Sequence, residues 1–250
     1  MDDFGKAFTF IGDHWHLILS STGTHLELSI YSILIAIAIG LPLGILLGHL
    51  HRWSFLAINV SNVGRALPSV AVLAILLPWT GIGHTDVIIA LVVLAFPPIL
   101  TNTYVAVDQV DADTVDAANG MGLRPLQVLT RIELPQALPL IFAGIRTSSV
   151  FVVATATLAG IFGGGGLGDI INNRESYGLD GVIAASYVVI VLAFAAQILL
   201  LALERAVTPR GLHELRRSTR NRNGRSGLRR VLPSRSARPV TGPPEIGSLL

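Results

Sequence analysis

Long uncharged apolar stretches dominate this chain, and short polar segments separate them. A helix rises about 1.5 Å per residue against roughly 30 Å of bilayer hydrocarbon, so about 20 apolar residues cross a membrane. Uncharged windows of that length run from Leu28 to Gly48, from Val87 to Val107, from Thr147 to Gly168 and from Gly181 to Leu203, and a window from Trp53 to Gly83 is interrupted only by Arg65. Because the windows are continuously apolar and do not alternate, the pattern predicts an all-α protein with about five transmembrane helices and favours helices over a β-barrel.

Composition supports the membrane class. Hydrophobic residues make up 51% of the 250 residues and charged residues only 14%, which is too little polar surface for a soluble domain of this size. The chain has no cysteine, so disulfides and thiolate metal sites are excluded. The stretch Met1 to Thr24 is acidic at its start and lacks the features of a signal peptide, so we expect an uncleaved first span.

The distribution of positive charge predicts the orientation. Arginines from Arg205 to Arg238 follow the last span, and Arg52 follows the first, whereas Lys6 and Arg174 lie on the other side. Positive charge stays in the cytoplasm, so the N-terminus is expected outside and the C-terminus inside. This orientation places the loop of residues 108–138 inside the cell.

These features divide the chain into three parts. Residues 1–24 form an extracytoplasmic segment, with His14 to Leu19 at the membrane interface where Trp is enriched. Residues 25–204 form the transmembrane domain. Residues 205–250 form a basic cytoplasmic tail, which we expect to be disordered because it has few large apolar residues.

The loop of residues 108–138 carries its own pattern. Acidic residues favour a short first helix through Asp113, because the helix dipole stabilises negative charge in the first turn. Gly122 can end that helix in a left-handed conformation. Pro125 is suited to open a second helix, and Pro135 is expected to close it. The pattern predicts two short helices joined at a glycine.

Seven residues of this loop have a fixed spacing. They are Asp116, Ala117, Ala118, Gly122, Ile132, Leu134 and Pro135. The spacing resembles the EAA loop (E-A-A-x3-G-x9-I-x-L-P) of the membrane permeases of ATP-binding cassette importers, with Asp116 in place of the usual Glu. The resemblance implies a type I importer permease fold in the bacterial cytoplasmic membrane. It also implies that the loop docks onto a separate ATPase and transmits its closure as movement of whole helices.

Other segments resemble one group of these importers. Residues 62–69, 97–104 and 154–168 look like the permease subunits of osmoprotectant importers, which carry glycine betaine, choline, carnitine or proline betaine. The likeness runs from about His25 to Glu204. The glycine-rich stretch also resembles methionine importers, so a methionine-type permease is an alternative. A membrane receptor or structural subunit that uses the loop only for partner binding is another.

Polar residues within the spans are candidates to line or gate a pathway. The candidates are Arg65, Thr101, Asn102, Tyr104, Ser148, Thr155 and Thr157. A charge at mid-depth costs roughly 2.5 to 3.5 kcal/mol, so Arg65 should face the bundle interior. A cation on the path would repel quaternary ammonium substrates, which favours a structural or gating role for Arg65. For the Ser and Thr residues, hydrogen bonds between packed helices are the competing role.

Catalytic and ligand-binding motifs are sparse. No phosphate-binding loop of the Walker type is present, so the chain is predicted not to be an enzyme, and ATP and Mg²⁺ are expected in the partner ATPase. Aromatic residues are scattered and predict no cage for a quaternary ammonium. The pairs His14/His16 and His49/His51 lack carboxylate or cysteine companions in sequence, so we expect no metal site and no cofactor in this chain.

The resemblance also implies a set of partners. Two permease subunits, identical or related, would enclose the path, with cassette ATPase subunits inside and a substrate-binding protein outside. Membrane lipid surrounds the spans, and we expect no nucleic-acid partner. The glycine run from Gly160 to Gly168 suits either a flexible turn or close backbone approach.

Overall fold

The computed structural model describes residues 2–51, 59, 64 and 66–208. Residues Met1–Thr208 form one compact unit. In the described residues every regular element is helical. The α-helices are α1 (Asp2–Asp13), α2 (Trp15–His49), α3 (Ser69–Thr80), α4 (His84–Asp108), α5 (Ala112–Gly120), α6 (Pro125–Val128), α7 (Leu134–Thr155), α8 (Leu167–Asn172) and α9 (Arg174–Val207). A π-helical turn (Leu129–Glu133) joins α6 to α7, and a 3₁₀ segment (Ala156–Phe162) follows α7.

Within these described ranges, four helices are long and apolar enough to cross a membrane. They are α2, α4, the continuous helix of residues 125–162 and α9. They confirm four of the five predicted spans, and each helix begins before its uncharged window. The fifth predicted span, Trp53 to Gly83, is represented by the apolar helix α3, and most of its first half lies outside the described residues.

The predicted fourth span, Thr147 to Gly168, has the wrong boundaries. The helix of residues 125–162 begins much earlier and ends at Phe162, where Gly163 adopts a left-handed conformation with φ +68°. The run of glycines therefore forms a loop and not the end of a span. Two positions of this run need glycine because their backbones approach closely. A Cβ at Gly160 would lie 2.3 Å from the carbonyl carbon of Gly168.

The tightest helix pair is α2 against α4, and small residues at intervals of four make it possible. The buried stripe on α2 consists of Ser32, Ala36, Gly40, Gly44 and Gly48. A Cβ at Gly44 would lie 2.6 Å from Thr103 Cβ and 2.9 Å from the Leu100 carbonyl oxygen. Small residues allow helix backbones to approach closely where lipid gives little hydrophobic driving force. This stripe fixes α2 on α4.

Helix α7 packs on the other side of α4 through polar and small residues. Ser148 Oγ donates to the Ala95 carbonyl oxygen at 3.0 Å, and a Cβ at Gly144 would lie 2.6 Å from Asn102 Cβ. Near the far end of α7, His25 of α2 is fully buried, and its Nε2 donates to the Val153 carbonyl oxygen at 2.9 Å. Side-chain donors thus join the three helices in a membrane-like interior.

Helix α9 closes the bundle and carries an ion pair that the sequence windows did not include. Arg146 Nη1 of α7 donates to Glu204 Oε2 of α9 at 2.8 Å, with both side chains about one-fifth exposed. Both residues lie inside helices long enough to span a membrane. The uncharged windows, in which Arg65 is the one charged residue, therefore leave out charged residues of the spanning helices. A partner in place lowers the cost of a charge in such a helix.

Helix α1 packs against α9 and precedes α2 almost without a break. Phe8 stacks on Tyr187 of α9 with 5.7 Å between ring centroids. The peptide N–H of His14 donates to the Phe10 carbonyl oxygen at 2.9 Å, so helical hydrogen bonding continues across the junction. Helix α2 also runs without interruption across residues 24 and 25, where the expected extracytoplasmic segment meets the expected transmembrane domain.

Candidate functional site

The candidate site is the polar segment between α4 and α7, at the end of the bundle where α2 also ends. Helix α5 begins at its N-cap Asp111, whose carboxylate accepts the Thr114 backbone N–H at 3.1 Å. Asp113 adds negative charge in the first turn, where the helix dipole favours it. The predicted first short helix is therefore present, with an aspartate cap that satisfies one of its free N–H groups.

Gly122 forms the turn between the two short helices. Its φ of +81° lies in the left-handed region. The Leu123 N–H donates to the Ala118 carbonyl oxygen at 3.2 Å and the Gly122 N–H to the Asn119 carbonyl oxygen at 2.9 Å. These two bonds form the glycine-terminated helix end known as the Schellman motif. The predicted left-handed role of Gly122 is confirmed.

The prediction that Pro135 closes the second helix is wrong. Helix α6 starts with Pro125 in its first turn, as expected, but the chain then continues through the π-helical turn into α7 without a stop. The wider π-helical turn lets the Leu134 N–H donate to the Leu129 carbonyl oxygen, five residues back. Pro135 then falls in the first turn of α7, where its missing N–H costs little. The segment is therefore joined rigidly to a spanning helix.

The seven motif residues divide between the inside and the outside of the segment. Ala118 is buried, with 1% of its surface exposed. Ile132, Leu134 and Pro135 are half-buried, whereas Asp116, Ala117 and Gly122 are exposed. We call the unit of residues 111–133 the elbow. Five of the seven motif residues lie on the elbow, and Leu134 and Pro135 lie in the first turn of α7, directly after it.

Two large apolar side chains stand out from the elbow. Met121 is 73% exposed and Leu126 is 69% exposed, and they flank the Gly122 turn on either side. The motif does not include these two residues, so the resemblance to the EAA loop did not point to them. Met121 lies one helical turn after Ala117. Met121 and Leu126 together give the elbow an apolar tip, and exposed apolar side chains are a common feature of protein-binding surfaces.

Two histidines at the end of α2 bind the two ends of the elbow region. His49 Nδ1 donates to Glu133 Oε2 at 2.7 Å, and His51 Nδ1 donates to Asp108 Oδ1 at 3.0 Å. The expectation that this histidine pair lacks carboxylate companions was therefore wrong. The companions lie 57 and 84 residues away in sequence, so neither spacing nor periodicity could reveal them.

The candidate pathway residues that the structure describes lie mainly between helices. Ser148 is fully buried and Tyr104 is 3% exposed. Asn102 Nδ2 donates to the Pro98 carbonyl oxygen at 2.7 Å, and Thr157 Oγ1 donates to the Ala154 carbonyl oxygen at 2.8 Å. Thr101 and Thr155 are half-buried. The Asn102 and Thr157 bonds lie within their own helical segments, and only the Ser148 bond to Ala95 joins two helices. The pathway role of the set stays a prediction.

Arg65 lies outside the described residues, so its structural or gating role stays a prediction. Next to it in sequence, Gly64 lines an apolar cleft of about 560 Å³. Phe96 and Pro97 of α4 and Ile39 of α2 form its other walls. The described lining is mostly apolar and includes one polar side chain, Asn59, and the described part of the chain provides no aromatic cage there.

No cluster of three or more potential metal ligands occurs among residues 2–51, 59, 64 and 66–208. Each histidine of the His49/His51 pair uses its Nδ1 to bond a carboxylate. The contacts of this pair are therefore structural bonds between chain segments.

Comparison with known proteins decides the family. The model of the family described as "binding-protein-dependent transport system inner membrane component" matches residues 40–209. The chain belongs to this family. Membership confirms the resemblance that the EAA-like spacing indicated, and it shows a multi-pass inner-membrane transport protein.

Similar sequences come from several bacteria. The carnitine transport permease protein OpuCB of Listeria monocytogenes is 37% identical over 83% of this chain and 96% of its own length. The glycine betaine/carnitine/choline transport system permease protein OpuCB of Bacillus subtilis is 34% identical over 84% and 98%. The osmoprotectant import permease protein OsmY of Salmonella typhimurium is 39% identical over 59% and 63%.

Solved structures share the fold. The permease chain of a structure titled "Inward facing conformations of the MetNI methionine ABC transporter" superposes with a TM-score of 0.70 at 23% identity, covering 78% of this chain and 98% of that chain. A chain of "an amino acid ABC transporter with histidines" gives a TM-score of 0.66 at 17% identity, over 78% and 96%. The predicted type I importer permease fold is thereby confirmed.

Proposed function

We propose that this chain is the permease subunit of an ATP-driven importer for osmoprotectants such as glycine betaine, choline or carnitine. The observation that carries the proposal is the elbow, which has the motif spacing, a glycine-terminated turn and a rigid junction with α7. Such a unit is suited to transmit force from a partner to a spanning helix.

The substrate class comes from the sequence relatives. Proteins named for carnitine, choline and glycine betaine transport are 31–37% identical over nearly their whole length. The methionine transporter structures are 23–25% identical, and at the lower value likeness supports only the fold. The relatives therefore favour an osmoprotectant over methionine, and transport over a purely structural subunit.

The partners follow from this role. A separate cassette ATPase would bind ATP and Mg²⁺ and receive the elbow, and a separate extracytoplasmic protein would capture the substrate. A second permease copy or paralogue would complete the path. The elbow would lie in the cytoplasm, with the N-terminus outside. In this orientation Arg52 and the arginines after the last span share the elbow's side of the membrane, and positive charge stays in the cytoplasm.

Contact with the ATPase would centre on the apolar tip. Met121 and Leu126 are the most exposed large apolar side chains of the elbow, and buried apolar anchors give most of the binding energy at protein interfaces. Ala117 beside them is small and exposed, which would let the partner surface approach the backbone of α5.

Reconstituted transport tests the proposal directly. The permease, with the ATPase and the binding protein of its own system, is placed in liposomes that contain ATP. Uptake of labelled glycine betaine, choline and carnitine is then measured beside labelled methionine. We expect ATP-dependent uptake of at least one quaternary amine and none of methionine. Uptake of methionine alone would reverse the substrate assignment, and no uptake of any substrate would reject the transport role.

Leu126→Asp is expected to weaken binding of the ATPase by about thirtyfold, because it puts a charge where an apolar anchor should be buried, a loss of about 2 kcal/mol. Leu50→Asp is the matched control, since Leu50 is a leucine of similar exposure, 51%, that follows α2 outside the elbow. Copurification of the ATPase with each variant measures the difference. Equal copurification with both variants would contradict a docking role for the tip.

A further inference from the structure

Both ends of the elbow region are bonded to the end of one helix. Asp108 is the last residue of α4 before the elbow, and Glu133 is the last residue of the π-helical turn. His51 bonds the first at 3.0 Å and His49 bonds the second at 2.7 Å. We call this pair of bonds the histidine clasp. It joins the end of α2 to the two points where the elbow meets the spanning helices.

The two bonds of the clasp differ greatly in burial. The Glu133 side chain is 3% exposed and the His49 side chain 22%, whereas the His51 and Asp108 side chains are 55% and 32% exposed. The folded protein is strongly destabilised when a buried carboxylate loses its partner, whereas an exposed pair contributes little to stability. The His49–Glu133 bond is therefore the strong member, and the His51–Asp108 bond supplies a natural control.

The position of Glu133 decides what the strong bond can do. The π-helical turn is the joint through which a movement of the elbow reaches α7. Beyond this joint, Ile45 and Leu41 of α2 pack on the same apolar cluster as Ala137 and Ile141 of α7. A bond between His49 and Glu133 therefore joins the end of α2 to the π-helical turn just before α7. The apolar contact between α2 and α7 lies on the α7 side of this bond.

We propose that His49 is a positioning residue for coupling: it makes α2 move together with the elbow and α7 when the ATPase closes. The proposal rests on the transport function proposed above. The stripe of small residues fixes α2 to α4, and Ser148 and His25 bond α7 to α4 and α2. The clasp adds a bond from this three-helix unit to the joint itself, so the unit follows the elbow as one body. Movement of a packed group of helices is an established way to transmit closure.

The test compares four variants of the reconstituted importer. His49→Leu removes the donor and leaves Glu133 buried alone. His49→Asn keeps an N–H donor near the position of Nδ1. His49→Leu combined with Glu133→Leu removes the buried charge as well as the bond, so it is expected to insert stably. His51→Gly removes the exposed contact together with the side chain, and glycine readily adopts the left-handed backbone of this position, φ +47°.

The measured quantities are substrate transported per ATP hydrolysed and copurification of the ATPase. We expect His49→Leu and the double variant to lower the transport ratio about tenfold while the ATPase still copurifies, within the range of coupling changes from single network residues. His49→Asn, which keeps the donor, and His51→Gly, which removes only the exposed bond, should stay within about twofold of the unmodified protein.

The outcomes separate the two proposals. A double variant with an unchanged transport ratio would show that the buried pair only stabilises the fold, and would overturn the coupling role of His49. A His51→Gly ratio as low as that of His49→Leu would also overturn it, because the exposed bond would then matter equally. Failure of the unmodified protein to transport any of the three quaternary amines would instead reject the proposed function, and the coupling role with it.

Discussion

Gly44→Val is expected to prevent α2 from packing on α4 and to cause the largest loss of folded protein among the substitutions considered. Two of the three nearest atoms belong to Thr103, at 2.6 and 2.8 Å from the added Cβ, and the third is the Leu100 carbonyl oxygen at 2.9 Å. A backbone oxygen cannot move unless α4 moves. Overpacking costs about 1–3 kcal/mol where neighbours relax, and more is expected where they cannot.

Gly23→Val is the matched control for Gly44→Val. Gly23 lies in the same helix, and a Cβ there would meet no atom within 4 Å. The helix-propensity effect of Gly to Val is therefore common to both variants, and only the contact with α4 differs. Melting temperature and monodispersity in detergent measure the effect. Similar melting temperatures for the two variants would show that the small-residue stripe does not fix this helix pair.

Gly122→Val is expected to abolish transport while the protein still inserts in the membrane. A Cβ at Gly122 would meet no atom within 4 Å, so steric crowding is not the cause. The cause is the backbone, because a φ of +81° costs an L-residue about 1–2 kcal/mol, and a β-branched one more. The turn would relax to another conformation and redirect the apolar tip that we propose meets the ATPase.

Gly120→Val provides the comparison for this effect. Gly120 is the last residue of α5, has ordinary helical geometry, and also has open space around its Cβ position. The two variants thus differ in backbone conformation alone. Uptake of labelled glycine betaine, choline and carnitine is measured for both, after equal expression is confirmed. Normal uptake by Gly122→Val would count against the elbow as the coupling element.

The elbow shows what local sequence can determine. Asp111 and Asp113 at the start of α5, Gly122 after it and Pro125 in α6 each act through bonds to neighbours within a few residues. Such signals are readable from one chain. The error at Pro135 has a physical explanation too, since the π-helical turn that accommodates this proline depends on how α7 packs.

The polar pairs show what local sequence cannot determine. His49 with Glu133 and Arg146 with Glu204 are separated by 84 and 58 residues. No periodicity links these positions, and the uncharged windows stop at Thr147 and Leu203, just short of the second pair. Each pair forms only because packed helices bring two distant turns to the same level.

The sequence by itself determined that the chain is a helical membrane protein with a glycine-hinged elbow, because hydrophobic length and turn chemistry are local properties. The tertiary structure alone decided which helices touch. The sequence shows that the stripe from Ser32 to Gly48 consists of small residues, but only the position of α4 makes this stripe an interface. Likewise, the bond from His49 to Glu133 exists because the packed helices bring the end of α2 to the turn that precedes α7.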